Sequence, residues 1–379
     1  MSFQLSDEQE MIRLMAREFA KKELEPYAYQ RDQEKIFPHD VMKKMGELGL
    51  MGMTVPAEYG GTDAGTVSYC LALQEIAYAC PSTAATMSMS NLAADPLLRY
   101  GNEEQKQRYL QPLATGETLG AFALTEQEAG SDTGGTLTRA EYKGDCYIVN
   151  GAKSFITNGA FADVVILIAR TDPEKSNRGL SAFIVEKGFP GFIVGPEEDF
   201  MGMKASNTVE LRFEDCRIPR ENLLGKEGGG FKIAMVALDS GRIGTAALSV
   251  GIARACLDEA IGYAKNRKQF GKLISTFQAI QWMIADTATE IEAANWLTIH
   301  AADRRDQGLS FTRESAMAKL YASETANRAA HRALQVHGGY GYIKEYKVER
   351  LYRDARATTI YDGTSEVQRI VIARETLKG

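Results

Sequence analysis

The chain has 379 residues, 44% hydrophobic and 25% charged, with a formal net charge of −6. That length can bury a sizeable core without staples, and the near-average composition argues against disordered, collagen-like or coiled-coil chains. The mild acidity gives no support for nucleic acid or an anionic membrane as the main partner.

The N-terminal stretch MSFQLSDEQEMIRLMAREFAKKEL is charged and amphipathic, without the apolar core of a signal peptide. Ser6, with Asp7 and Glu8 behind it, reads as an N-cap, and Met11, Ile12, Met15 and Phe19 form a helical stripe before Pro26. A second helical run from Leu71 to Leu92 is rich in Ala, Ser and Met and reads as buried. Asp95-Pro96 reads as the N-cap and first position of a further helix. Met87, Ser90, Asn91 and Ala94 share that neighbourhood. Residues 1–120 therefore form an N-terminal α-helical domain.

From residue 121 to 228 the hydrophobic period shifts to two. CYIVNGAKSFIT (146–157), DVVILIAR (163–170), LSAFIVEK (180–187), GFIVGP (191–196) and TVELRFEDCRIP (208–219) are β-branched or aromatic, with turn residues between them. The spacing predicts a middle domain that is an antiparallel β-barrel or sandwich, and no strand–helix alternation supports a Rossmann unit. FALTEQEAGSDTGG (122–135) is a polar loop with glycines that allow close ligand approach, and GKEGGG (225–230) reads as a linker.

From residue 229 to 379 the helical period returns. Ile243, Ala247, Val250, Arg254, Leu257 and Ile261 keep it, as do Phe277, Ile280, Ile284 and Ile291. HGGYGY (337–342) reads as a helix C-cap with a turn, and Asp362-Gly363 as a turn whose Thr364 or Ser365 caps a last helix. The fold class is α+β, with helices, then strands, then a C-terminal four-helix-bundle domain.

Histidine and cysteine are scarce. The four histidines and five scattered cysteines include no CxxC, HxxxH or HxxEH, so no metal site is expected. The odd set of thiols reads as reduced and cytoplasmic. No uninterrupted apolar run reaches about eighteen residues, so no membrane span is expected. Acid–base work would fall to a carboxylate, and redox work to a borrowed cofactor.

Seven segments in order resemble the acyl-CoA dehydrogenase family, in particular its short-chain, butyryl-CoA-like branch. They are AFALTEQEAGSD (121–132), SFITNGA (154–160), FEDCRIPRENLLG (213–225), ALDSGRIG (237–244), NRKQFGKLI (266–274), QVHGGYGY (335–342) and IYDGTSEVQR (360–369). The resemblance implies bound FAD, an acyl-CoA substrate, an electron-transferring flavoprotein as acceptor, and a homotetramer built as a dimer of dimers. It places Thr125 at the flavin pyrimidine edge, Ser131 near the cofactor phosphate, Phe155 against the flavin ring, and Thr157 as donor at flavin N5. It assigns Arg267, Gln269, Phe270, Gln335 and Gly339 to the FAD of a neighbouring subunit, and Thr364 and Glu366 to the cofactor within one subunit. Asp239 and Arg242 would hold the CoA arm and orient the loop bearing the base, with Tyr361 and Gly363 lining the substrate site.

In the implied reaction a carboxylate takes the α-proton of an acyl thioester while the β-hydrogen leaves as hydride to the flavin. Here the chain departs from its relatives. The family motif YEGT is Tyr361-Asp362-Gly363-Thr364, and Gly241 occupies the alternative position for the base. Asp362 is the only matching carboxylate, withdrawn by about 1 Å, a displacement that can cost roughly a hundredfold in rate. The expected substrate is therefore an α-branched or alicyclic acyl-CoA such as cyclohexanecarboxyl-CoA. The alternatives are a straight-chain butyryl-CoA dehydrogenase, or a flavin oxidase of the acyl-CoA oxidase or nitroalkane oxidase type. Asp95 is a second departure, read as a helix cap or as an acid lining the acyl pocket.

Overall fold

A computed structural model describes residues 4–378. The first helix, α1 (Asp7–Phe19), opens on a reciprocal capping box: Gln9 N–H donates to Ser6 Oγ and Ser6 N–H to the Gln9 side chain. A π-turn and a 3₁₀ turn at Pro26 lead to α2 (Ala28–Glu34) and α3 (His39–Glu47). The run read as one helix is two, α4 (Gly65–Ala79) and α5 (Pro81–Tyr100), broken at Cys80, which is extended at φ −147° and ψ 97°. α6 (Glu103–Ala114) completes the helical layer.

The expectation for Asp95-Pro96 is overturned. α5 starts at Pro81, and Asp95 and Pro96 lie inside it. Proline suits the first helical position because its missing N–H is unpaired there anyway; that preference is met at Pro81. At Pro96 tertiary contacts override it, since Asp95 is held by ion pairs from two sides.

The strands are β1 (Gly120–Ala123), β2 (Arg139–Tyr142), β3 (Cys146–Thr157), β4 (Val164–Arg170), β5 (Leu180–Glu186), β6 (Phe192–Glu197), β7 (Thr208–Pro219) and β8 (Leu223–Leu224). They form one sheet in the order β6-β7-β3-β2-β4-β5-β8, with β1 beside β4. The sheet is mixed rather than wholly antiparallel, because β1 runs parallel to β4, with Gly120 opposite Val164. A parallel pair needs a long crossover, and the 124–163 segment with the β2–β3 hairpin supplies it. β4 and β5 are buried on both faces. Val164, Ile166, Ile168, Ala182 and Ile184 pack towards α5, α6 and α7, while Val165, Leu167, Ala169, Phe183 and Val185 fill the core with β3 and β7. The sheet is thereby fastened to the helices.

The long helix α7 (Gly230–Asn266) leads to the hairpin β9 (Lys268–Gln269) and β10 (Lys272–Leu273), then α8 (Gln278–Asp306), α9 (Thr312–His337), α10 (Lys347–Ala357) and α11 (Ser365–Leu377). α9 lays a stripe of fully buried alanines (Ala318, Ala322, Ala326, Ala330) along α7 and its neighbours. α7 is long and apolar enough to cross a membrane, yet most of its apolar stretch is buried among the other helices.

Candidate active site

Three groups of the sequence-predicted residues come together in separate places. The first surrounds Asp362. The chain leaves α10, turns through Tyr361, and enters a left-handed segment at Asp362 (φ 52°) and Gly363 (φ 87°) before Thr364 caps α11 by accepting Val367 N–H. Glycine is needed at 363: a Cβ there would lie 2.7 Å from Gln368 Nε2, at a backbone angle that side chains disfavour. Asp362 itself carries a positive φ in a non-glycine residue, which costs energy and must be held by its surroundings.

The holding groups are specific. Gln368 Nε2 donates to the carbonyls of Asp362 (3.0 Å) and Gly363 (2.8 Å), and Lys319 Nζ donates to the Gly363 carbonyl (2.6 Å). Thr245 Oγ1 donates to Asp362 Oδ2 at 2.7 Å. Removal from water pushes the Asp362 carboxyl above its ordinary range, opposed by the Thr245 hydroxyl and by the charges of Lys319 and Arg242. Burial likewise pushes the Lys319 ammonium down to about 8, with Asp362 opposing it. The result is a carboxylate of raised basicity with two cations near it.

Asp239 and Arg242 pair with each other at 2.5 Å, and Thr312 Oγ1 donates to Asp239 at 2.6 Å. Arg242 Nε, Ser365 Oγ and Gln368 Oε1 are buried without a hydrogen-bond partner. Unpaired buried polar atoms are uncommon, and three of them around Asp362 leave hydrogen-bonding capacity that a polar ligand can take up.

The second group lies at the end of the sheet. Ser154 N–H donates to the Thr125 carbonyl at 2.9 Å, which brings the 124–135 loop beside β3. β3 ends on Phe155, 57% exposed and at φ 60°, and on Thr157, whose hydroxyl meets that of Thr208 at 3.2 Å. An exposed aromatic ring bracketed by hydroxyl residues fits a planar group with an apolar face and a polar edge, as FAD has. Ser131 is exposed on the same loop. The loop is anchored beneath by a buried pair: Lys153 Nζ contacts Glu126 Oε1 at 2.7 Å and the Leu124 carbonyl at 2.8 Å, and Glu126 accepts the N–H groups of Leu137 and Thr138.

The third group is remote. Arg267 lies at the end of α7 with its guanidinium over the Tyr340 ring, 5.4 Å from the centroid. Gln269 and Phe270 sit on the β9–β10 hairpin, whose tip leaves Phe270 92% exposed. Gln335 and Gly339 follow at the end of α9, both exposed. Along α7, Arg267 is about 37 Å from Arg242, at 1.5 Å per residue. One subunit does not bring these residues to Asp362.

Asp95 is neither a cap nor free. Its side chain is 1% exposed, paired with Arg99 at 3.0 Å and Arg305 at 2.5 Å, and it accepts from Ser240 Oγ at 3.1 Å. Both oxygens are thus engaged across α5, α7 and α8. No group of three or more His, Cys, Asp or Glu residues placed to hold a metal occurs among the described residues.

The chain matches family models along nearly its whole length: the acyl-CoA dehydrogenase N-terminal domain at residues 6–117, the middle domain at 121–216 and the C-terminal domain at 228–377. The chain belongs to the acyl-CoA dehydrogenase family. It is an FAD-dependent oxidoreductase of that fold. Among curated proteins it is 50% identical over 380 residues to the acryloyl-CoA reductase (NADH) of Anaerotignum propionicum, covering 100% of this chain and 96% of that one. A chain in the structural study of the electron transferring flavoprotein of Acidaminococcus fermentans superposes with TM-score 0.99 at 49% identity, with both chains fully covered. Butyryl-CoA dehydrogenase of Megasphaera elsdenii gives TM-score 0.98 at 44% identity, again with full coverage of both.

Sequence reasoning missed Thr245, Lys319 and Gln368. Lys319 left a usable trace: a lysine in a stripe that otherwise reads Ala316, Ala318, Ala322 and Ala326 is misplaced for a solvated face. Thr245 left none, since a threonine inside a helix has no distinctive spacing.

Proposed function

We propose that this acyl-CoA dehydrogenase oxidises a short, α-branched or alicyclic acyl-CoA thioester, of which cyclohexanecarboxyl-CoA is the model, to its α,β-unsaturated product. The observation that carries this reading is Asp362, a carboxylate of raised basicity, shorter than the family's glutamate, fixed on a strained loop between α7 and α9. Asp362 takes the α-proton. By the family pattern its own backbone N–H would serve as a donor to the developing charge on the thioester oxygen, where a fixed donor is worth most once water is excluded. FAD, when bound, would supply the acceptor for the β-hydrogen.

Thr125, Phe155, Thr157 and Ser131 would hold the cofactor from the sheet, and Thr364 and Glu366 from the start of α11. Arg267, Gln269, Phe270, Gln335 and Gly339 serve the FAD of a neighbouring subunit. Their distance from Asp362 supports that assignment, and with it a dimer of dimers. Arg242 and Asp239 orient the CoA arm beside the base, with Tyr361 and Gly363 lining the acyl group. The ion-paired Asp95 is left out of the substrate contacts. The butyryl-CoA dehydrogenase and acryloyl-CoA reductase relatives support a short acyl chain. The Acidaminococcus structure supports an electron-transferring flavoprotein as acceptor, and the five free cysteines are in keeping with a cytoplasmic setting.

A tertiary α-carbon carries an extra substituent and takes up more room beside the base than the CH₂ of a linear chain, and a carboxylate one methylene shorter leaves that room. Steady-state kcat/KM should be higher for isobutyryl- and cyclohexanecarboxyl-CoA than for butyryl-CoA. Asp362→Glu should reverse the order. A clear preference of the parent enzyme for butyryl-CoA would sink the substrate proposal and leave the dehydrogenase reading standing.

A further inference from the structure

Thr245 lies on α7 one turn beyond Gly241 and is 1% exposed. A helical threonine commonly returns its hydroxyl proton to the carbonyl four residues back, as Thr287, Thr289 and Thr298 do on α8. The Thr245 hydroxyl instead donates across to Asp362 Oδ2 at 2.7 Å. Gly241 clears the same face: a Cβ there would sit 3.4 Å from Oδ2 and 3.1 Å from Leu92 Cδ1. On the other side, Lys319 and Gln368 hold the main chain of the loop. The carboxylate is therefore gripped at one oxygen and at its backbone.

We propose that Thr245 is a positioning residue for the base, engaging Oδ2 so that Oδ1 is the atom that takes the α-proton. This rests on Asp362 being the base. The α-proton passes to Oδ1, the C–H electron pair stays with the thioester as enolate, and Thr245 keeps its own proton throughout. A hydroxyl donating to a carboxylate favours the charged form, so Thr245 also keeps Asp362 ionised at a pH where burial alone would protonate it. The other titratable groups facing the pair are Arg242 with Asp239 on α7, Lys319 with Glu324 on α9, Tyr69 on α4, Glu366 on α11 and Tyr361 on the loop itself. A substitution at 245 leaves Arg242, Asp239, Lys319, Glu324, Tyr69 and Glu366 in place, and the Thr245 hydroxyl that Tyr361 also meets is lost in Thr245→Val and kept in Thr245→Ser.

The test uses FAD-loaded enzyme as parent, Thr245→Val, Thr245→Ser and Asp362→Asn. Infrared difference titration follows the protonated carboxyl band that Asp362→Asn abolishes, and kcat/KM against pH is measured with isobutyryl-CoA. Thr245→Val, which keeps the shape and removes the donor, should raise the band's midpoint by about one to two pH units. The acid limb should move the same way, and kcat should fall by up to roughly a hundredfold. Thr245→Ser should restore both. An unchanged midpoint in Thr245→Val, or a Thr245→Ser enzyme that behaves like the valine variant, overturns the proposal while leaving Asp362 as base. If Asp362→Asn retains α-proton exchange, the base assignment itself fails and the inference falls with it.

Discussion

Asp362→Asn should lower kcat by about 10²- to 10⁴-fold, the range that a positioned general base contributes, while FAD stays bound. Asparagine matches aspartate in shape and can still accept the Thr245 hydroxyl, so the loop should keep its form. Arg242 retains Asp239 at 2.5 Å, and Lys319 retains the Gly363 carbonyl at 2.6 Å. What disappears is the proton acceptor. Exchange of the α-proton in D₂O, followed by NMR, should vanish with turnover. A variant within tenfold of the parent would remove Asp362 from the mechanism. The pH dependence has a defined sign. The base works only when ionised, and its folded pKa is raised above the ordinary 3.8 by removal from water. Activity is thus present above that raised value and lost as pH falls through it. An acid limb at or below 3.8 would contradict the burial argument.

The readable parts of this chain were those where one local rule decides. Ser6 with Gln9 caps α1 because both donors are satisfied within four residues, and Gly338 stops α9 because its φ of 60° leaves the right-handed helical region. The period-two segments became strands for the same reason. Reading failed where long-range contacts decide. Asp95 looks like a cap because residues before proline avoid the helical region; the partner that holds it in a helix, Arg305, is 210 residues away. The parallel placement of β1 is equally non-local, since nothing in Gly120–Ala123 distinguishes its two possible directions beside β4. At the candidate site the motif residues were legible through the family resemblance. Their supports were not: Thr245 reaches Asp362 across 117 residues, and Lys319 reaches Gly363 across 44.

Asp95→Ala should destabilise the protein by about 3–5 kcal/mol, the cost of breaking a buried ion pair by removing one partner. Arg305 is 8% exposed, and Asp95 is the acid it contacts. Without it a guanidinium is stranded between α5 and α8, and Ser240 loses its acceptor on α7. Arg99, 36% exposed, can turn to water and adds little. For a chain of this size the apparent Tm should fall by about 5 °C, measured by calorimetry at equal FAD saturation. The loss belongs to the stranded charge rather than to the pair as such. Replacing both members by apolar side chains of similar size, Asp95→Leu with Arg305→Met, should therefore recover most of it, because desolvating two charges offsets much of their mutual attraction. An Asp95→Ala enzyme as stable as the parent would show that Arg305 finds water or another acceptor. A double variant no better than the single would show that the pair itself fastens α5 to α7 and α8. Either way the α-proton exchange rate per folded enzyme should stay near that of the parent, since the carboxylate that α5 buries is already neutralised by two guanidinium groups and the one that takes the proton stands on the loop before α11.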